Sequence, residues 1–179
     1  VYYTRSKDKF INLRDRTKFA NDKAADLFIS IHANAAPSKT KAATMRGIET
    51  FFLSPARSER SKNAAALENK SDIEEMNYFS QQTFLNVLNR EKIIASNKLG
   101  IDIQKEILAS ARKVYAASDG SVREAPFWVL VGALMPAVLV EIGYITHPVE
   151  GEKLFNEAYQ KALANGIANG IDGYFAKNR

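Results

Sequence analysis

Two side chains that could carry metal or acid–base chemistry stand at the ends of apolar runs. His32 follows "LFISI" and Glu141 follows "AVLV". Imidazole is a common metal ligand and a proton carrier near neutral pH, and a carboxylate on a buried strand must be paired, bound to metal or raised in pKa. If the two strands are parallel neighbours, both groups emerge at one edge of the sheet. The pair then predicts a metal ligand and a general base at one crevice.

Each candidate also has a plainer interpretation. Glu141 could form an ion pair with one of the 25 Lys and Arg residues, since ion pairs also perturb carboxyl groups. His147 could be a ligand, a cap or a loop residue, and the loop is favoured because Pro148 marks a turn. Ser30 shares a strand face with His32, but a serine nucleophile needs a sharp turn between strand and helix. A serine hydrolase is therefore not expected.

The elements that position these groups alternate between strands and helices. Strands are predicted at 1–3, 26–34, 47–54, 126–131 and 136–144, and helices at 13–24, 96–115 and 152–174. The polar segment from Pro55 to Arg90 is expected to be partly helical and partly exposed. This alternation predicts a single-domain α/β fold with a mainly parallel twisted sheet flanked by helices.

Composition narrows the class of protein. The 179 residues are 46% apolar and 25% charged, as in one ordinary globular domain. The net charge of +5 favours an acidic polymer as partner, or else a solvated basic surface. The absence of cysteine excludes disulfides, thiolate zinc sites and cysteine nucleophiles. The longest uncharged run, Phe127 to Val140, is too short for a membrane span.

Six stretches in order carry a resemblance to a known family: "TRSKD", "NLRDRTKFAN", "ADLFISIHANA", "GIETFFLS", "EAPFWVL" and "PAVLVEIGYITHP". With them, nearly the whole chain resembles the zinc-dependent N-acetylmuramoyl-L-alanine amidases that cleave bacterial peptidoglycan. Members of that family hold one zinc ion with two histidines and a glutamate, and a second glutamate is the catalytic base. The resemblance implies that His32 is the second zinc histidine and Glu141 the base. It assigns no metal role to His147.

The resemblance also implies that part of the zinc site lies elsewhere. The first ligand histidine and the ligand glutamate of the family belong to an opening strand and helix, which are expected upstream of Val1. Residues 1–179 are thus expected to be an N-terminally incomplete catalytic domain. Because a catalytic zinc site normally takes three protein ligands, the chain alone is expected not to hold zinc tightly and to be inactive.

The implied function is hydrolysis of the amide bond between N-acetylmuramic acid and L-alanine of the stem peptide, in the periplasm or cell envelope, with a role in daughter-cell separation at cell division. The open alternative is a catalytically incomplete homologue that binds peptidoglycan or regulates an enzyme. Nucleic acid is not an expected partner, because the sequence has no Gly-rich phosphate loop or aromatic-interleaved basic strand.

The segment 55–95 is longer than a simple connection needs to be. Similar regulated members of the family insert here a helix that covers the zinc until an activator protein displaces it. The resemblance makes Glu68 the candidate for an inhibitory carboxylate. An exposed helix that only decorates the surface is the alternative, since charge-rich helices are commonly solvated.

Overall fold

The computed structural model describes residues 1–70, 77 and 89–178. Its elements, in chain order, are α1 (Leu13–Asp22), β1 (Phe28–Asn34), α2 (Lys39–Ala42), β2 (Ile48–Leu53), α3 (Glu59–Asn69), α4 (Arg90–Ala111), β3 (Asp119–Ala125), a 3₁₀ turn (Trp128–Leu130), β4 (Ala137–Tyr144), α5 (Pro148–Lys153) and α6 (Glu157–Asn178). No helix among these is long and apolar enough to cross a membrane.

The four strands form one sheet in the order β1-β4-β2-β3. The amide of Phe28 donates to the Pro136 carbonyl at the start of β1, and the amide of Ile145 donates to the Asn34 carbonyl at its end. Because the partner numbers rise together, β1 and β4 are parallel. The bonds from Ile48 to Ser118 and from Ser54 to Ala125 show in the same way that β2 and β3 are parallel.

The two parallel pairs run in opposite directions. Glu49, the second residue of β2, accepts a hydrogen bond from the hydroxyl of Tyr144, the last residue of β4. The start of β2 therefore lies beside the end of β4, so these two neighbours are antiparallel. Two of the three strand pairs are parallel, which confirms the predicted α/β fold with a mainly parallel sheet flanked by helices.

The chain divides into two compact units. The first unit comprises Val1–Ser30, Phe52–Ser96 and Glu124–Val138. In it, α1 packs on the segment after β3, where the Thr17 hydroxyl donates to the Val131 carbonyl at 3.0 Å and the Asn21 amide to the Gly132 carbonyl at 2.8 Å. These bonds satisfy backbone carbonyls that no strand partner takes up.

The second unit comprises Ile31–Phe51, Asn97–Arg123 and Leu139–Arg179. Its core is the contact between α4 and α6, where two glycines of α6 let the helices approach closely. A Cβ atom added at Gly166 would lie 2.4 Å from the Ile107 Cα atom, and one at Gly170 would lie 2.5 Å from the Ile103 Cα atom. Only residues without a side chain fit this spacing.

Two predicted strands are wrong. Residues 1–3 form no strand and are exposed, because no neighbouring strand among the described residues pairs with them. The apolar stretch 126–131 contains the 3₁₀ turn instead, and the strand lies just before it at Asp119–Ala125. Phe127 and Leu130 are buried in the turn, so the apolar run reports burial and not extended backbone.

Two helix boundaries also differ from the prediction. Helix α4 starts at Arg90 rather than at Ser96. The predicted last helix is two helices, α5 and α6, and the Asn156 side chain between them accepts a hydrogen bond from the Tyr159 amide at 3.0 Å. An asparagine cap of this kind starts a new helix. Of the predicted insertion at 55–95, α3 is helical as expected, and residues 71–76 and 78–88 lie outside the described part of the chain.

Candidate active site

The two residues singled out by the sequence lie on neighbouring parallel strands of the second unit. The bond from the Phe28 amide to the Pro136 carbonyl pairs Phe28 with Ala137. Counting four residues along both strands brings His32 beside Glu141. Paired residues of a parallel ladder point to the same face, so both side chains belong to one face near the carboxyl ends of β1 and β4. His32 is half-buried and Glu141 is 1% exposed.

The strand β4 carries one more residue than β1 beyond this pair. The Ile145 amide bonds to the Asn34 carbonyl, which shifts the register by one. Gly143, with φ at +143°, is the residue of β4 in a conformation that favours glycine. The shift brings Tyr144 to the same face as Asn34. The side chain of Tyr144 therefore lies on the same face of the sheet as His32 and Glu141.

A second buried carboxylate, Glu49, receives that hydroxyl. Glu49 is 0% exposed, and its Oε2 atom accepts from the Tyr144 hydroxyl at 2.9 Å and from the Asn34 side-chain amide at 3.4 Å. Its Oε1 atom accepts from the Arg123 Nε atom at 3.1 Å. Sequence reasoning missed this residue, although "GIETFF" places a carboxylate in an apolar strand just as "VLVEIGY" does.

Local backbone geometry of β3 turns Arg123 toward Glu49. Gly120 pairs with Glu49 across the two strands, and a Cβ atom on it would lie 2.1 Å from the Glu49 Cγ atom. Ser121 follows with φ at +74°, an unusual value for serine. The Arg123 Nε atom donates both to the Gly120 carbonyl, at 2.9 Å, and to Glu49. These two bonds fix the Arg123 guanidinium on the face of the sheet that carries the Glu49 side chain.

A third buried carboxylate, Glu150, organises the loops around the end of β4. Its Oε2 atom accepts from the backbone amides of Tyr144, at 2.6 Å, and Gly47, at 3.0 Å. His147 is 7% exposed and starts α5, because its Nδ1 atom accepts from the amides of Val149 and Glu150 at 3.3 and 3.1 Å. The predicted loop position of His147 is therefore a helix N-cap, which occupies its Nδ1 lone pair.

The described residues do not complete a zinc site. His32 is a donor of the type that zinc prefers, but no group of three or more His, Cys, Asp or Glu side chains gathers anywhere in the described ranges. A zinc ion in a protein takes three or four such ligands. Within those ranges, His32 therefore has Glu141 beside it and belongs to no cluster of three metal-binding side chains.

Glu68, the predicted inhibitory carboxylate, belongs to the first unit. It is half-buried on the last turn of α3. The neighbouring Asn69 side chain donates to the Pro126 carbonyl at 3.0 Å and accepts from the Trp128 amide at 2.9 Å. These two bonds fix the end of α3 against the segment after β3.

The fold agrees with comparisons to known proteins. The family model described as N-acetylmuramoyl-L-alanine amidase, Amidase_3, matches residues 1–173. The chain belongs to this family. The resemblance drawn from the sequence motifs is thus confirmed for the family as a whole.

Individual members of the amidase family are similar over nearly the whole chain. AmiA, an N-acetylmuramoyl-L-alanine amidase of Salmonella typhimurium, is 34% identical over 96% of this chain. The uncharacterized protein YqiI of Bacillus subtilis is 32% identical over 96%. The chain spans 60% of AmiA and 62% of YqiI. A crystal structure of an N-acetylmuramoyl-L-alanine amidase from Clostridium difficile superposes with a TM-score of 0.69 at 28% identity, over 98% of this chain and 72% of that one.

Proposed function

We propose that this chain is part of a peptidoglycan hydrolase that cleaves the amide bond between N-acetylmuramic acid and L-alanine of the stem peptide. The observation that carries the proposal is the position of His32 beside Glu141 on neighbouring strands, in a chain that matches the amidase family over residues 1–173. An amidase with 34% identity over 96% of the chain supports it. The family match does not favour the alternative of a catalytically incomplete wall-binding module.

In this proposal Glu141 is the general base. Its carboxylate takes a proton from the attacking water and delivers it to the departing alanine nitrogen, as one positioned carboxylate can do in both steps. Burial of Glu141 at 1% exposure keeps competing water away from that carboxylate. The proton is thereby held at the end of β4 between the two steps.

His32 is proposed as one ligand of a zinc ion whose remaining ligands lie outside the described residues. Zinc, when bound, would polarise the scissile carbonyl and lower the pKa of water. The role of His32 is to present one ring nitrogen at the strand end, while a hydrogen bond to the other nitrogen fixes the orientation of the ring. Its half-buried position keeps part of the side chain exposed.

The substrate and location follow from the same proposal. Peptidoglycan carries carboxylates, which a chain of net charge +5 attracts over a short, salt-dependent range. An enzyme acting on it works in the periplasm or cell envelope, where amidases of this kind would separate daughter cells.

We also propose that α3 belongs to an inhibitory insertion, with Glu68 as the carboxylate that reaches the metal and an activator protein that displaces the helix.

The test of the proposed function is cleavage of a defined muropeptide by the full-length protein. N-acetylmuramoyl-L-Ala-γ-D-Glu-L-Lys is incubated with enzyme and zinc, and products are identified by mass spectrometry. The proposal expects free tripeptide with an L-alanine N-terminus and free N-acetylmuramic acid. Binding of the muropeptide without release of either product, in protein that retains zinc, would instead support the non-catalytic module.

A further inference from the structure

Arg123 is held on one side only. Its Nε atom donates to the Glu49 carboxylate at 3.1 Å and to the Gly120 carbonyl at 2.9 Å. Within the described part of the chain, the structure gives the two terminal nitrogens of its guanidinium no hydrogen bond, and the side chain is 32% exposed. The terminal half of the guanidinium, which suits a bidentate acceptor, is therefore not engaged by the two contacts that hold Arg123 in place.

The Glu49 carboxylate, which holds Arg123, has hydrogen-bond donors other than those terminal nitrogens. Glu49 is fully buried, and its second oxygen accepts from Tyr144 and Asn34. The contact with Glu49 uses only the Nε–H donor of Arg123, so the four N–H donors of its terminal amino groups remain available for another acceptor. Arginine binds a carboxylate through two parallel N–H···O bonds, which also fixes the orientation of the carboxylate.

The position of Arg123 relates it to the proposed reaction. Asn34, which contacts Glu49, lies two residues after His32 and shares its strand face. Strand order puts Arg123 on β3, two strands away from Glu141 on β4. Neighbouring strands are about 4.8 Å apart, so two strand spacings separate the two residues by roughly 10 Å across the sheet, perpendicular to the strands. An extended peptide advances about 3.5 Å per residue, so a carboxylate two residues beyond the scissile bond falls within reach of the arginine.

We propose that Arg123 binds the first carboxylate of the stem peptide beyond the scissile bond, the α-carboxylate of its second residue, and so sets substrate specificity. This inference rests on the proposed function, because it takes the substrate from it. The plainer role of Arg123, neutralising Glu49, requires only the Nε contact and predicts no preference among substrates. The two roles therefore differ in a measurable way.

The test compares two ligands that differ in one group. N-acetylmuramoyl-L-Ala-γ-D-Glu-L-Lys carries the free α-carboxylate, and its counterpart with D-isoglutamine carries an amide there. Binding to the full-length protein is measured by calorimetry in the Glu141→Gln background, so that turnover does not interfere. We expect the carboxylate form to bind about tenfold more tightly or better, which corresponds to one bidentate arginine contact.

Two variants identify the arginine as the source of that preference. Arg123→Ala is expected to abolish it, and Arg123→Lys, which keeps a positive charge beside Glu49 but lacks the planar fork, is expected to lose most of it while keeping a melting temperature near that of the parent. If the alanine variant does not fold, the lysine variant decides. Equal affinity for both ligands in the parent, or a preference retained in the variants, would overturn the inference. Failure of the full-length parent, with Glu141 intact, to cleave the muropeptide would count against the proposed function, whereas the inference about Arg123 is judged by the binding preference alone.

Discussion

The carboxylate of Glu150 accepts a hydrogen bond of 2.6 Å from the backbone amide of Tyr144. The same carboxylate receives the Gly47 amide, so one buried side chain satisfies backbone donors at the end of β4 and just before β2. Tyr144 in turn donates its hydroxyl to Glu49. Glu150, Tyr144 and Glu49 are thus linked by hydrogen bonds in series. These bonds support the end of β4, next to His32 and Glu141.

Replacing Glu150 tests this support. In Glu150→Gln the NH2 group replaces one of the two carboxylate oxygens and faces the Gly47 amide, which donates to both. Two buried donors that face each other leave one without its acceptor, which costs about 1–3 kcal/mol. We expect the free energy of unfolding to fall by that amount, measured by urea denaturation. Glu152→Gln on the exposed side of α5 is the control, since it removes the same charge without either bond. A similar loss in both variants would show that charge and not the buried bonds matters.

Replacement of Tyr159 is expected not to lower the stability of the protein, in contrast to replacement of Glu150. Its hydroxyl is buried and has no hydrogen-bond partner among the described residues, and burial, followed by the nearby charge of Glu150, raises its pKa. Tyr159→Phe removes a desolvated polar atom, so stability should be unchanged or about 1 kcal/mol higher. The same substitution at Tyr144 removes the bond to Glu49 and should destabilise. Thermal unfolding of the two variants compares them directly, and a clear loss at Tyr159 would contradict the assignment.

The sequence predicted the candidate pair because each member ends an apolar run, a pattern set by local order along the chain. It did not predict the contact between Glu49 and Arg123, because that contact depends on which strands become neighbours and on the positive φ at Ser121. Strand β3 was missed for a related reason. Its sequence, "DGSVREA", has few apolar residues and owes its extended form to pairing with β2. Tertiary contacts, not local propensity, decide these features.

Glu141→Gln tests the proposed general base. Glutamine keeps the size of the side chain but cannot take a proton, so muropeptide cleavage should fall by roughly a hundredfold or more while the fold and zinc content stay unchanged. Initial rates and circular dichroism of the full-length protein provide the readouts. Turnover at the parent rate would mean that Glu141 is an ordinary buried ion-pair partner.

His32→Ala tests the proposed zinc ligand. Loss of one imidazole should remove stoichiometric zinc from the purified full-length protein, as measured by inductively coupled plasma mass spectrometry. The other histidine supplies the matched control, because His147→Asn keeps a side chain that can cap α5 and should keep the metal. Full zinc content in His32→Ala, or its loss in His147→Asn, would reject the assignment.

Glu68 tests the proposed inhibition by α3. Removal of residues 61–77 would also remove the Asn69 bonds to Pro126 and Trp128 and the buried Ala65, so a folding defect would obscure the result.

The substitution Glu68→Gln leaves those contacts in place. If the carboxylate holds a closed state over the metal, weakening it shifts the population toward the open state and raises the basal cleavage rate. A closed state favoured by about 1.4 kcal/mol would allow a rise of up to tenfold. Glu59→Gln at the exposed start of the same helix should leave the rate unchanged. An unchanged or lower rate in a well-folded Glu68→Gln protein would show that α3 is a surface helix without an inhibitory role.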